Sequence, residues 1–173
     1  MDFIDSVIMT RVSVRSFTGE TIPRDTLLRI AKAGMAAPSG VNIQPWDIVI
    51  VTDRAKLDLL CAELPYAKML DKAAAAFVVC GNPEKDAKIA KLHWAVDCAA
   101  MTENILLAIH SLGLGAVWTA VHPYEDRLAS VRRILGIPDN IVPLNVIPVG
   151  VIAGAAPPPK DKWNPAALHF DKW

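Results

Sequence analysis

A chain of 173 residues in which 18 Lys plus Arg balance 18 Asp plus Glu has no net charge, which argues against nucleic acid or an anionic membrane surface as its partner. The length suits a single domain, residues 1–173, able to bury about 70% of the surface its unfolded chain exposes. At 53% hydrophobic and a mean hydropathy of +0.30, it is apolar for that size. The composition therefore predicts a large protein partner surface, most simply a homodimer.

Cys61, Cys80 and Cys98 are widely spaced in apolar stretches without a C-x-x-C pattern, so they read as reduced core residues of a cytoplasmic protein rather than reactive thiols. No apolar run approaches the ~18 residues of a membrane span. The start at Asp2 lacks a basic targeting region, so no processing is expected. No metal site is predicted, because no pair among His93, His110, His122 and His169 has convincing ligand spacing.

In chain order, Ile4, Val7 and Ile8 follow a helical period, predicting a first helix that ends near Arg11. A second helix follows Pro23 and must stop before Pro38. Residues 47–52 read as a strand, 53–64 as a helix and 75–80 as a second, buried strand closed by Gly81-Asn82-Pro83. The stretch 86–112 has no strong breaker and is apolar on several faces, which predicts a helix buried nearly all round, in a core or at a subunit interface. A strand over 116–121, a helix over 124–135 and a last central strand over 146–153 complete the body. The tail from about 155 to 173, with three consecutive prolines and Trp163, Phe170 and Trp173, is expected to run extended over a partner subunit.

Four short stretches carry chemistry. Arg11-Val12-Ser13-Val14-Arg15 places two guanidinium groups and a hydroxyl where several donors can meet one anion, although a solvated helix end explains it as well. Pro38-Ser39-Gly40-Val41-Asn42-Ile43-Gln44-Pro45-Trp46 holds two carboxamides on a proline-fenced loop. They suit either a ligand that alternates donors and acceptors or the loop's own backbone. In Leu112-Gly113-Leu114-Gly115-Ala116-Val117-Trp118 the glycines permit close approach of something flat, or cap the preceding helix. They follow a helix and precede a strand, so they are not a dinucleotide fingerprint. Lys160-Asp161-Lys162, the fourth stretch, reads by itself as surface solubility.

In this order, the four motifs and the long middle helix closely resemble the nitroreductase family of FMN-dependent flavoproteins, over nearly the whole chain. The resemblance implies an α+β fold with a central mixed β-sheet flanked by helices, in an intertwined homodimer with FMN held tightly but non-covalently at the subunit interface. It assigns Arg11, Ser13, Lys160 and Lys162 to the FMN phosphate and Arg15 to the pyrimidine end of the flavin. Pro38, Ser39, Gly40, Asn42 and Gln44 would line the flavin of the other subunit, and Trp118, Thr119 and Ala120 would pass over the ring face. NAD(P)H would reduce the flavin at N5, and a nitroaromatic, quinone or similar small oxidant would reoxidise it by a ping-pong route. No protein acid or base is implied, and none of the histidines is assigned to catalysis. Tyr66 and Trp94 are candidate aromatics on the substrate side. Larger relatives carry an acidic residue and a glycine where this chain has Ala120-Val121, and a long insertion where only residues 82–86 stand here; an open substrate side is expected. Other flavin reactions of the family, such as reductive dehalogenation or flavin-modifying chemistry, and a non-catalytic redox sensor are the alternatives.

Overall fold

Ala75–Gly81 is apolar at every position but the last, and in a computed structural model that describes residues 2–173 it forms a strand buried along its whole length. The chain builds helices α1 (Arg24–Met35), α2 (Arg54–Glu63), α3 (Ile89–Ser111) and α4 (Glu125–Leu135). Its strands are β1 (Trp46–Val51), β2 (Ala75–Gly81), β3 (Gly115–Ala116), β4 (Thr119–Ala120) and β5 (Val142–Gly150). The central pair β2 and β5 is flanked by β1 on one side and by β3 and β4 on the other. Alternate residues of the central strands face two separate cores. Ala76, Val78, Cys80 and Val146 pack with Leu57 and Leu60 of α2 and Leu128 and Val131 of α4. Ala75, Phe77, Val79, Ile147 and Val149 pack with Ile30 of α1 and Met101, Ile105 and Ile109 of α3. A sheet between two helix layers is the α+β class the sequence implied.

Four details differ from expectation, each for a physical reason. Every strand pairing among the described residues is antiparallel, where a mixed sheet was implied. A parallel strand could add only at the outer sides of β1 or of β3 and β4. The predicted helix up to Arg11 is a five-residue π turn, Ile4–Ile8, because only Val7 of that turn is buried and one packed residue supports little more than one turn. The predicted strand over 116–121 is split in two. Ala116 lies opposite Val149 and Thr119 opposite Val146, one continuous register, and the gap faces Pro148, which has no N–H to give the ladder. The last strand starts earlier, at Val142, because a β-bulge between Val79 and Cys80 accommodates Pro143. It also ends earlier, at Gly150, beyond which Ile152 pairs with Phe17 instead.

The long helix α3 buries Cys98, Met101, Ile105 and Ile109 but leaves Leu92 and Val96 76% and 67% exposed. Cys80 and Cys98 are buried, and burial pushes both thiols up to about 12, so they stay protonated as packing residues. No helix among the described residues is long and apolar enough to cross a membrane.

Candidate active site

Residues 11–15 run as an extended strip along the sheet edge, fixed by the Val14 N–H, which donates to the Ala116 carbonyl at 2.9 Å. Extended backbone alternates its side chains: Val12 and Val14 pack inward, so Arg11, Ser13 and Arg15 face the other way. Gly115 makes this approach possible, since a Cβ there would lie 2.7 Å from Val14 Cγ1. The other glycine of that motif, Gly113, has φ +73° and its N–H donates to the His110 carbonyl at 2.9 Å. It is the left-handed residue that closes α3 just after the C-cap Leu112.

Outward of the strip lies a cavity of about 780 Å³, lined by Arg11, Ser13 and Arg15 and, from the far end of the chain, by Lys160 and Lys162. Two carboxylates, Glu103 and Asp161, share it with the four cations. Arg11 Nε stands 3.4 Å from Glu103 Oε1, while Asp161 accepts the Trp163 N–H at 2.9 Å. Behind Arg11, His110 Nε2 is 2.8 Å from Thr10 Oγ1. Burial, and then the neighbouring Arg11 charge, hold the His110 imidazole below its ordinary value. A histidine that gains its proton less readily when folded costs stability as pH falls below its unfolded value, about 6.5, towards the folded one. Stability is therefore expected to decline as pH falls below about 6.5, and His110→Gln should flatten that part of a Tm-versus-pH profile. A variant profile that overlays the wild type would remove His110 from this role.

Arg15 also lines a second cavity, of about 510 Å³, walled by Val117, Trp118, Thr119, Ala120, Tyr66, Lys68, Met69, Tyr124 and Arg127. The Thr119 hydroxyl donates into the sheet, to the Val146 carbonyl at 2.6 Å, so that strip presents backbone and the Trp118 ring rather than a free hydroxyl. Tyr66 is therefore brought to the site. Trp94 is not: its ring lies over Gly81, where a Cβ would sit 2.1 Å from Trp94 Cε3, and edge-on to His122 at 4.9 Å between centroids.

The proline-fenced loop lines neither cavity. Its shape comes from other groups than its amides. Gly40 N–H donates to Asp97 Oδ1 at 3.1 Å, and the Gln44 N–H donates to Ser39 Oγ at 2.9 Å. The Gln44 carbonyl accepts from Lys85 Nζ at 2.8 Å. Val41, Asn42 and Gln44 have φ of 43°, 59° and 53°, and for β-branched Val41 that conformation is strained. No hydrogen bond among the described residues uses the Asn42 or Gln44 carboxamide, and both residues are exposed. Local bookkeeping of the loop backbone is thus done without them.

The family profile for nitroreductases matches residues 8–80 and 56–151. The chain belongs to the nitroreductase family. A relative from Archaeoglobus fulgidus, provisionally described as an NADH dehydrogenase/NAD(P)H nitroreductase, is 40% identical over 96% of this chain and 97% of its own. The crystal structure of a Parabacteroides distasonis protein with the same provisional description superposes with a TM-score of 0.93 at 43% identity, covering all of both chains. The NADPH-flavin oxidoreductase of Vibrio harveyi is 33% identical over 77% of this chain, which spans only 59% of that longer protein.

Within this family member, sequence reasoning missed Glu103, Tyr124, Arg127 and Asp97. For Asp97 a signal existed, a carboxylate inside an apolar stretch of helix, which needs a donor there; it is buried, and its second oxygen has no partner among the described residues. Tyr124 and Arg127, three apart at a helix start, are a spacing that lets a cation meet a ring.

Proposed function

We propose that the protein is a homodimeric, FMN-dependent oxidoreductase that takes two electrons from NAD(P)H and delivers them by a ping-pong route to a nitroaromatic, a quinone or a similar small oxidant. Flavin-dependent NAD(P)H oxidoreduction is the activity of the family to which the chain belongs. One observation carries the reading furthest: Arg11, Ser13 and Arg15 share a single cavity with Lys160 and Lys162, from the opposite end of the chain. Three of these cations, Arg11, Lys160 and Lys162, and the Ser13 hydroxyl form a donor set that suits a phosphate dianion, and the residues present fit FMN in that respect. In this reading Arg11, Ser13, Lys160 and Lys162 hold the phosphate and Arg15, between the two cavities, faces the pyrimidine end. Trp118, Thr119 and Ala120 lie along the ring. The loop bearing Pro38, Ser39, Gly40, Asn42 and Gln44 serves the flavin of the partner subunit, which accounts for two free amides on a strained, well-anchored turn.

The dimer draws support from exposed apolar surface that water disfavours. Leu92 and Val96 face outward, residues 154–173 are exposed throughout, and Trp163, Phe170 and Trp173 are 71%, 86% and 98% exposed. Such a tail costs free energy in solution unless a partner covers it.

Bound FMN supplies the hydride-accepting and electron-donating chemistry. The balance is one NAD(P)H and one proton consumed, with a nitro group converted to nitroso plus water, or a quinone to its hydroquinone. Arg15 is placed to stabilise negative charge on the reduced ring system. Arg15→Ala is expected to lower the midpoint potential by about 30 to 60 mV, the two-electron equivalent of one lost charge-assisted contact; a potentiometric titration with no drop would take that role away.

The reading as a whole is tested by colour. Protein incubated with FMN and desalted should stay yellow and should bleach anaerobically with NADH or NADPH. Protein that stays colourless overturns it, and bound flavin that neither nucleotide bleaches points to one of the alternative reactions.

A further inference from the structure

The second cavity holds a cation that the FMN reading does not use. Arg127, in the first turn of α4, places its guanidinium carbon 3.8 Å from the centroid of the Tyr124 ring and 5.2 Å from that of Tyr66. Its Nη1 donates to the Ala120 carbonyl at 2.9 Å, which ties the group to the strip beside the proposed flavin ring. Its Nε is shielded from water and has no partner among the described residues. None of the ion pairs among those residues includes Arg127. Glu125 and Asp126 precede it on the same turn, yet no carboxylate lines this cavity. Lys68, also on the wall, directs its ammonium at the carbonyls of Cys61 and Ala62 at 2.7 and 3.0 Å. The cavity therefore presents a guanidinium held by two rings and a carbonyl, with no acid among the described residues paired with its charge.

That combination selects a ligand. A guanidinium already held in place loses little rotamer freedom when it pairs, and its planar fork matches a carboxylate. Arg127 is only partly buried, so water solvates its outer edge in the free protein. A carboxylate that displaces this water gains a charged pair with the Nη groups, whereas a neutral ligand does not. The surrounding faces are flat and accessible, with Trp118, Tyr124 and Tyr66 37%, 48% and 71% exposed, so the body of the ligand should be planar.

We propose that Arg127, framed by Tyr66 and Tyr124, is the specificity-determining residue of the oxidant site, and that the oxidants this chain prefers are planar arenes bearing a carboxylate. The inference rests on the FMN reading, since it is the reduced flavin that supplies the electrons. The carboxylate itself is not altered. The nitro or quinone group elsewhere on the ring takes up the two electrons and two protons.

The test is reoxidation of photoreduced, FMN-loaded protein, without nucleotide, by 4-nitrobenzoate and by the uncharged 4-nitrobenzamide. In the wild type the apparent second-order rate constant for the benzoate should fall with added salt while that for the amide stays level. Arg127→Met should slow the benzoate about ten- to hundredfold and the amide less than about threefold, with FMN affinity unchanged. Arg127→Lys, which keeps the charge, should retain part of the benzoate preference. Equal salt dependence for the two oxidants in the wild type overturns the proposal without any variant, and so does an unchanged ratio in a folded Arg127→Met. NADH and NADPH reduction rates serve as a further arm. Loss confined to NADPH would mean that Arg127 meets the nucleotide phosphate, which also overturns it. Protein that retains no flavin fails the underlying reading and the proposal with it; protein that retains flavin and reacts equally with both oxidants fails the proposal alone.

Discussion

Gly81→Ala is expected to destabilise the fold by about 1 to 3 kcal/mol, the usual cost of forcing volume into a packed site. At this chain length that corresponds to a Tm lower by about 2 to 12 °C. The added Cβ would meet not one atom but the body of a rigid ring, with Trp94 Cε3 at 2.1 Å and Cδ2 and Cζ3 at 2.9 Å. No small rotation clears all three, and the indole also meets the His122 ring edge-on at 4.9 Å between centroids. The backbone cannot yield readily either, because Gly81 ends β2 opposite both Trp46 and Val142. A shortened ring partner should relieve the clash. Trp94→Leu combined with Gly81→Ala should then cost clearly less than the two single changes added together. Strict additivity, measured by thermal unfolding at matched protein concentration, would show that Trp94 moves aside freely.

How far the sequence could be read turns on which forces are local. The spans of α1, α2, α4, β1 and β2 came out within a few residues, because proline, alternation and apolar periodicity act on neighbours in the chain. The split between β3 and β4 depends on Pro148, a residue of another strand, and the short first turn depends on how little of it finds a packing surface; neither is visible locally. The same division holds at the site. Arg11, Ser13, Arg15, Lys160 and Lys162 were brought together by resemblance to a family, since nothing in their spacing links residues so far apart. The fate of Asn42 and Gln44 was undecidable from composition, because either use fits a carboxamide. Ser39 Oγ, Asp97 and Lys85 hold the loop, which leaves both carboxamides without a backbone partner among the described residues. The left-handed φ of Val41 runs against its type, so no propensity could have predicted it. Nothing in the local sequence marks Arg127, because what sets it apart is that no acid among the described residues pairs with it.

Arg11→Ala is expected to weaken FMN binding about ten- to hundredfold, the loss of a charge-assisted contact of about 1.5 to 3 kcal/mol. The structure adds a second term to that expectation. Arg11 is only 19% exposed and stands 3.4 Å from Glu103, itself half exposed, so a phosphate entering the cavity meets a guanidinium that already has a partner and a carboxylate that repels it. If Glu103 acts as competitor, Glu103→Gln should tighten FMN about two- to fivefold, in keeping with the ~0.5 to 1 kcal/mol of a half-exposed pair. If instead Glu103 orients Arg11, the same change should weaken binding. The double variant decides between them: with Arg11 absent, a competing Glu103 still repels phosphate, so its removal still helps, whereas an orienting Glu103 has nothing left to orient and its removal changes nothing. FMN titration followed by flavin fluorescence reads all four proteins. Unchanged affinity in Arg11→Ala would leave Arg11 as a partner of Glu103 alone, and would shift the phosphate site towards Ser13 and the two tail lysines.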